Sequence, residues 1–187
     1  MGSDGGFGQQ HGHAGKTFSI SPWLPAGKRR KFREKSAPAD AAQPQCVSAR
    51  TDPAWRPSDV TFVPDEPPSR GPLSGLTATL ARIRSSHLLV LAIDMPSMNE
   101  VHLRYLCDRV EPGRGVLPMI GTRAEPLAAI YPVEARIDFI NACSGVDFSL
   151  QTLANQLVEM GRLRVIQVCE KEQPFYRNLN EPDDLDG

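Results

Sequence analysis

The spacing of apolar residues divides this chain near residue 59. Before that point apolar positions are too sparse to define a long amphipathic element, and Gly, Pro, Gln, Ala and charged residues dominate. Residues 1–58 therefore read as loop or disorder. From residue 59 to residue 187, short aliphatic runs alternate with helical spacings. This is the texture of βαβ units on a mainly parallel sheet, so the fold class expected is α/β.

Residues 60–63 form a short strand pattern, and Gly71-Pro72 opens a segment whose Leu73, Leu76, Leu80 and Ile83 recur at helical spacing. The near-continuous apolar run over 87–93 matches a central strand covered on both faces, and it ends at Asp94. A helix is expected over 99–110, with Asn99 as N-cap. Strands follow over 115–120 and 127–131, separated by a turn at Gly121. Helices are expected over 133–143 and 150–160, the second capped by Ser149 and stopped by Gly161, with a last strand over 163–168.

A chain of 187 residues suits one domain with a substantial core. The formal net charge of -1 gives no global reason to expect nucleic acid or an anionic membrane as partner, so any phosphate must be held locally. Cys46, Cys107, Cys143 and Cys169 are far apart without a C-x-x-C pair, which reads as buried, reduced thiols. No apolar run approaches the roughly 20 residues that span a bilayer, and a cytoplasmic location is expected.

In an open parallel sheet, ligands bind at the carboxyl ends of the strands. Asp94, in Asp94-Met95-Pro96, is at such an end, where a hard oxygen ligand could hold Mg²⁺ against a nucleoside triphosphate; the alternative is an aspartate that caps the following turn. Asp65, ahead of Gly71-Pro72-Leu73-Ser74-Gly75, stands in an equivalent position on the preceding strand. The two carboxylates are expected to emerge side by side from neighbouring strands.

Four segments in order carry a resemblance. They are Pro64-Asp65 with Gly71-Pro72-Leu73-Ser74-Gly75; Leu91-Ala92-Ile93-Asp94-Met95-Pro96; Glu125-Pro126-Leu127 through Tyr131; and Asn178-Leu179-Asn180-Glu181-Pro182-Asp183-Asp184-Leu185. This series resembles the molybdenum cofactor guanylyltransferases, with Glu181 where the family usually has Thr. The resemblance implies a Rossmann-like three-layer α/β/α nucleotidyltransferase domain that uses Mg²⁺. It implies transfer of GMP from GTP to molybdopterin-bound molybdenum cofactor, with release of pyrophosphate. Asp94 then matches the metal-binding, catalytic aspartate and Asp65 the aspartate beside the nucleotide. Asn178 and Asn180 fall on the pterin side, where they could equally be turn-formers.

The family's glycine-rich loop, L-A-G-G-x-S-x-R-M-G-x-D-K, has only a partial counterpart in Leu24 to Lys35. Pro25 lacks an N–H donor, Ala26 and Arg29 replace a glycine and the serine, and the second glycine is missing. Leu24, Gly27 and the catalytic lysine Lys35 keep their places best among the nucleotide-binding positions. Residues 18–24 could be a worn first strand, shortened by Pro22, and 46–50 resembles the end of the second. The stretch 36–45 is too short for a normal crossover helix, which takes roughly 10–12 residues with its connections. Arg50 stands where relatives often carry a nucleotide-contacting Asn.

Other readings compete. Gly15-Lys16-Thr17 ends like a phosphate-binding loop, but Gln10 replaces the required glycine. The basic run 28–31 could be a nucleic-acid or nuclear-targeting patch, but the balanced charge elsewhere favours a loop facing phosphate or solvent, and His11 and His13 have no third ligand in view. His87 reads as a strand-edge residue and His102 as an exposed helix residue. Rival functions are a CMP or sugar-nucleotide transferase, and a non-catalytic module that binds molybdopterin or a partner such as a molybdoenzyme apoprotein.

Overall fold

The computed structural model describes residues 18–21, 45–65 and 68–178. Strands β1 (Phe18–Ser21), β2 (Cys46–Ala49) and β3 (Thr61–Pro64) lead to helix α1 (Pro72–Leu80). Next come β4 (His87–Ala92), α2 (Glu100–Cys107), β5 (Gly115–Ile120), β6 (Arg123–Ala124) and β7 (Ile130–Pro132). The described chain continues with α3 (Arg136–Ser144), α4 (Leu150–Glu159) and β8 (Leu163–Gln167), then a 3-10 turn at Gln173–Tyr176. Leu24, Gly27, Lys35 and Asn180 lie outside the described residues, as do His11, His13 and the 28–31 run.

The helix boundaries follow from local chemistry. Gly71 takes φ 64, a left-handed angle that favours glycine, and Pro72 begins α1 where its missing N–H has no partner to lose. The Asn99 side chain accepts from the His102 N–H at 2.9 Å, and the Ser149 hydroxyl accepts from the Thr152 N–H at 3.3 Å, so both predicted caps are present. The strand expected over 127–131 is shorter than its apolar run. Pro126 starts a 3-10 turn through Ala128, and only Ile130–Pro132 joins the sheet.

The sheet is mixed, which corrects the expectation of mainly parallel pairing. Only β2 with β3 and β5 with β8 pair in parallel. β1 runs against both β2 and β4, and β7 runs against both β4 and β5. The strands β2, β3, β4, β5 and β8 nevertheless share one direction, with the reversed β1 and β7 inserted between them. The tight turn at Gly121, φ 60, sends β6 back against β5, and the nine residues between β5 and β7 are too few for the crossover of about a dozen residues that would keep direction.

Alternation along the strands separates two helical layers. Leu88, Val90 and Ala92 of β4 pack with Leu76 and Leu80 of α1, Phe139 of α3 and Leu157 of α4. Leu89, between them in sequence, packs with Leu106 and Cys107 of α2. Since successive strand residues point to opposite faces, α1, α3 and α4 cover one face and α2 the other, the three-layer α/β/α arrangement expected. Leu73, Leu76 and Leu80 are almost wholly enclosed, and burying each contributes roughly 2 kcal/mol.

Two expectations about single residues change. His87 is buried, with Nδ1 3.0 Å from the Ser86 hydroxyl and Nε2 3.1 Å from the Glu111 carbonyl, so it ties down the turn before β5. The four cysteines are free thiols, and burial pushes Cys46 and Cys107 up to about 11, but Cys169 is exposed. Among the described residues, no helix is long and apolar enough to cross a membrane.

Candidate active site

The carboxyl ends of β2, β3 and β4 lie on one edge of the sheet because these strands share a direction. Arg50 leaves β2 there, Asp65 leaves β3 and Asp94 follows β4. Asp65 and Asp94 are on the same edge but not on neighbouring strands. In the order β3-β2-β1-β4, three strand spacings separate them, about 14 Å at the usual 4.7–4.9 Å. The strands are close in sequence and distant in the sheet because β1 and β2 fill the interval.

Asp65 is held from several sides. Its N–H donates to the Ala49 carbonyl at 3.1 Å, continuing the β2–β3 ladder. The Ser48 hydroxyl is 3.4 Å from Oδ1, and the Ser69 hydroxyl donates to Oδ2 at 3.1 Å. The helix that follows is pressed against this carboxylate. A Cβ on Gly75 would fall 2.4 Å from Ser48 Oγ and 2.9 Å from Asp65 Oδ1, so the second glycine of Gly71-Pro72-Leu73-Ser74-Gly75 permits the contact. Ser74, buried at 6% exposure, accepts from the Arg70 N–H at 2.7 Å and closes the loop between them.

Asp94 is half-buried on the turn out of β4, between an exposed Ile93 and a buried Met95. Its Oδ1 lies out of contact with solvent. The turn closes through the Met98 N–H on the Met95 carbonyl at 3.2 Å, and Asn99 then caps α2. Among the described residues no cluster of three or more His, Cys, Asp or Glu could hold a metal by itself. A cation at Asp94 would take its other oxygens from a ligand and water, the usual habit of Mg²⁺.

Asn178 is half-buried, and its Oδ1 meets no hydrogen-bond donor among the described residues. Arg50 is exposed. A groove of about 320 Å³ runs between α1 and α3, lined by Arg70, Ser74, Thr77, Ile140 and Cys143 among others; its lining includes neither Asp65 nor Asp94.

His102, expected on an exposed helix face, is buried at 6% exposure. Its Nε2 is 2.6 Å from the Tyr176 hydroxyl, and its Nδ1 is 3.8 Å from Glu172 Oε1. The rings of Tyr105 and Phe175 flank it at 5.6 and 5.1 Å. Burial holds the imidazole below its ordinary range, with the Glu172 charge opposing, and burial raises the Tyr176 phenol. Ser48, Ser69, Glu172 and Tyr176 were not picked out from the sequence. Only the aromatic pair Phe175-Tyr176, ahead of the Asn178 block, offered a sign of them.

The profile of the MobA-like NTP transferase domain matches residues 34–160. The chain belongs to that family. A probable molybdenum cofactor guanylyltransferase of Opitutus terrae is 30% identical over 78% of this chain and 73% of its own length. The molybdenum cofactor guanylyltransferase of Syntrophotalea carbinolica is 29% identical over 75% of this chain and 68% of its own. Among solved structures, the molybdopterin-guanine dinucleotide biosynthesis protein A of Archaeoglobus fulgidus aligns with a TM-score of 0.50 and 28% identity over 68% of this chain and 66% of that one. A protein of Aquifex aeolicus, at 17% identity and a TM-score of 0.56 over 66% of this chain and 63% of that one, shares the fold. Membership in the MobA-like family makes this chain a nucleotidyltransferase in class.

Proposed function

We propose that this chain transfers GMP from GTP to molybdopterin-bound molybdenum cofactor, giving the guanine dinucleotide form and pyrophosphate. One observation carries the reading: Asp65 and Asp94 end strands of the same direction on one sheet edge, with the β2 end and Arg50 in the interval. Such an edge suits a nucleotide laid across several strand ends, its base side at Asp65 and its phosphates at Asp94. The cytoplasmic setting expected from the sequence belongs to the same proposal.

Asp65 is an organised acceptor. With the Ser48 and Ser69 hydroxyls fixing its oxygens, it can receive N–H or O–H donors from a base or ribose without first reorganising. Asp94 fits magnesium by donor type, a hard carboxylate whose cation would draw its remaining oxygens from phosphate and water. Mg²⁺ held there would neutralise charge developing at the α-phosphate. Arg50 offers a guanidinium to phosphate from the β2 end, and Leu24, Gly27 and Lys35 would complete the triphosphate side. On the pterin side Asn178, whose side-chain oxygen meets no donor among the described residues, and Asn180 would orient the attacking phosphate. Both reacting groups are phosphates, so the protein's contribution is chiefly alignment and charge.

A second reading, a module that binds molybdopterin or a partner apoprotein without turnover, is favoured by the departures at Pro25, Ala26 and Arg29 from the glycine-rich loop. Titrating the purified chain with Mg-GTP, Mg-CTP and molybdopterin separates the readings. Saturable GTP binding with product formation supports guanylyl transfer. Pterin binding without nucleotide binding supports the module, and a preference for CTP changes the nucleotide assigned.

A further inference from the structure

The 3-10 turn Gln173–Tyr176 lies just before Asn178, and its last side chain connects two layers of the protein. The Tyr176 ring belongs to the larger core cluster, with Met95 and Val168, and is only 2% exposed. Its hydroxyl reaches His102 on α2, the helix that covers the opposite face of the sheet. Both partners stand at the carboxyl edge. α2 begins six residues after Asp94, and the turn follows β8, whose direction is that of β4.

The chemistry of the pair is defined. Glu172 faces Nδ1 and favours the proton there, which leaves Nε2 to accept from the Tyr176 hydroxyl. Glu172 is fixed in turn, since its Oε2 accepts the Cys169 N–H at 3.0 Å. Tyr176 meets the imidazole edge-on at 90°, while Tyr105 lies nearly parallel to it at 20°. The ring therefore has little freedom to turn, and a buried polar chain of this kind has one satisfied arrangement.

We infer that His102 and Tyr176 form a tether that sets the place of Asn178 relative to Asp94, which makes His102 a positioning residue for the pterin substrate. The inference rests on the guanylyl-transfer reading for its substrate and on the geometry alone for the tether. Neither side chain touches the reacting phosphates. Their effect reaches the reaction through the single residue, Arg177, that joins Tyr176 to Asn178 and through the short connection from Asp94 to α2.

The test uses the full chain with Tyr176→Phe, which keeps the ring and removes the hydroxyl. Losing one buried hydrogen bond is expected to raise KM for molybdopterin about ten-fold, with KM for GTP unchanged. Amide hydrogen exchange over residues 173–178 should quicken while exchange in α4 stays as it was. His102→Gln, whose amide oxygen can accept from Tyr176, should recover most of the loss, whereas His102→Phe should match Tyr176→Phe. Combining His102→Phe with Tyr176→Phe should add nothing, since either change already removes the bond. Unchanged exchange at 173–178 in Tyr176→Phe overturns the tether whatever the activity. Equal rises in KM for both substrates overturn the positioning role. A wild-type chain without transfer activity defeats the functional reading, and the exchange result would still decide the tether.

Discussion

The units β3–Asp65–α1 and β4–Asp94–α2 are built alike and serve their carboxylates differently. Each is a strand, an acidic residue at its carboxyl end and a helix. At Asp65 the helix is pressed against the acid, with Gly75 where any side chain would collide, and two serine hydroxyls bond the carboxylate. At Asp94 the helix is set back by a turn, starts at an asparagine cap and covers the other face of the sheet. The first arrangement ties its acid to the helix that follows; the second separates acid and helix by the turn through Met95 to Asn99. Similar strand–acid–helix patterns in sequence can therefore place their acids against the helix in one case and apart from it in another.

The largest effect expected from breaking this comparison is at Asp94. Asp94→Asn removes the charge while keeping the shape and should lower kcat about a thousand-fold with the melting temperature little changed. Transfer that survives this change refutes the magnesium assignment. Gly75→Ala attacks the packed site and should cost about 2 kcal/mol of stability in denaturant unfolding, because Ser48 must give way and take its hydroxyl from Asp65. Asp65→Asn should raise KM for GTP about ten-fold with kcat nearly intact, the mark of binding rather than chemistry. An equal fall in kcat would erase the contrast between the two acids. Asn99→Ala, which uncaps the set-back helix, should cost about 1 kcal/mol by thermal melting.

The smallest effect is one of pH. His102 is held below its ordinary value of 6.5, so the fold favours its neutral form. The unfolded chain takes up a proton first as pH falls, so stability is full above about pH 6.5 and declines below it toward the folded value. Melting curves at about pH 7.5 and about pH 5.5 should differ, and His102→Gln should narrow the gap.

Most of the element sequence was legible because its signals are local. Pro72, Asn99, Ser149 and Gly161 mark helix ends through backbone geometry and hydrogen bonds that need no distant partner. The apolar runs also placed Asp65 and Asp94 at strand ends, where they are. Sheet order was not legible, since pairing of β1 and β7 beside β4 depends on contacts between remote segments. His102 was misjudged for the same reason: the segment that encloses it, with Phe175 and Tyr176, lies more than seventy residues further along the chain. Ser48 and Ser69 had no motif of their own, and their meaning comes from the carboxylate between them.

The two reversed strands beside β4 also govern the order of assembly. The strand that carries Asp94 bonds on one side to Phe18–Ser21 and on the other to Ile130–Pro132, with neither neighbour close in sequence. During synthesis its amide groups must wait for the second flank to leave the ribosome, long after the strand itself has emerged. Pairings between such remote segments close slowly, so the edge that carries Asp94 is among the last parts of the protein to mature, and a chain halted before residue 130 would expose its most apolar strand to other proteins.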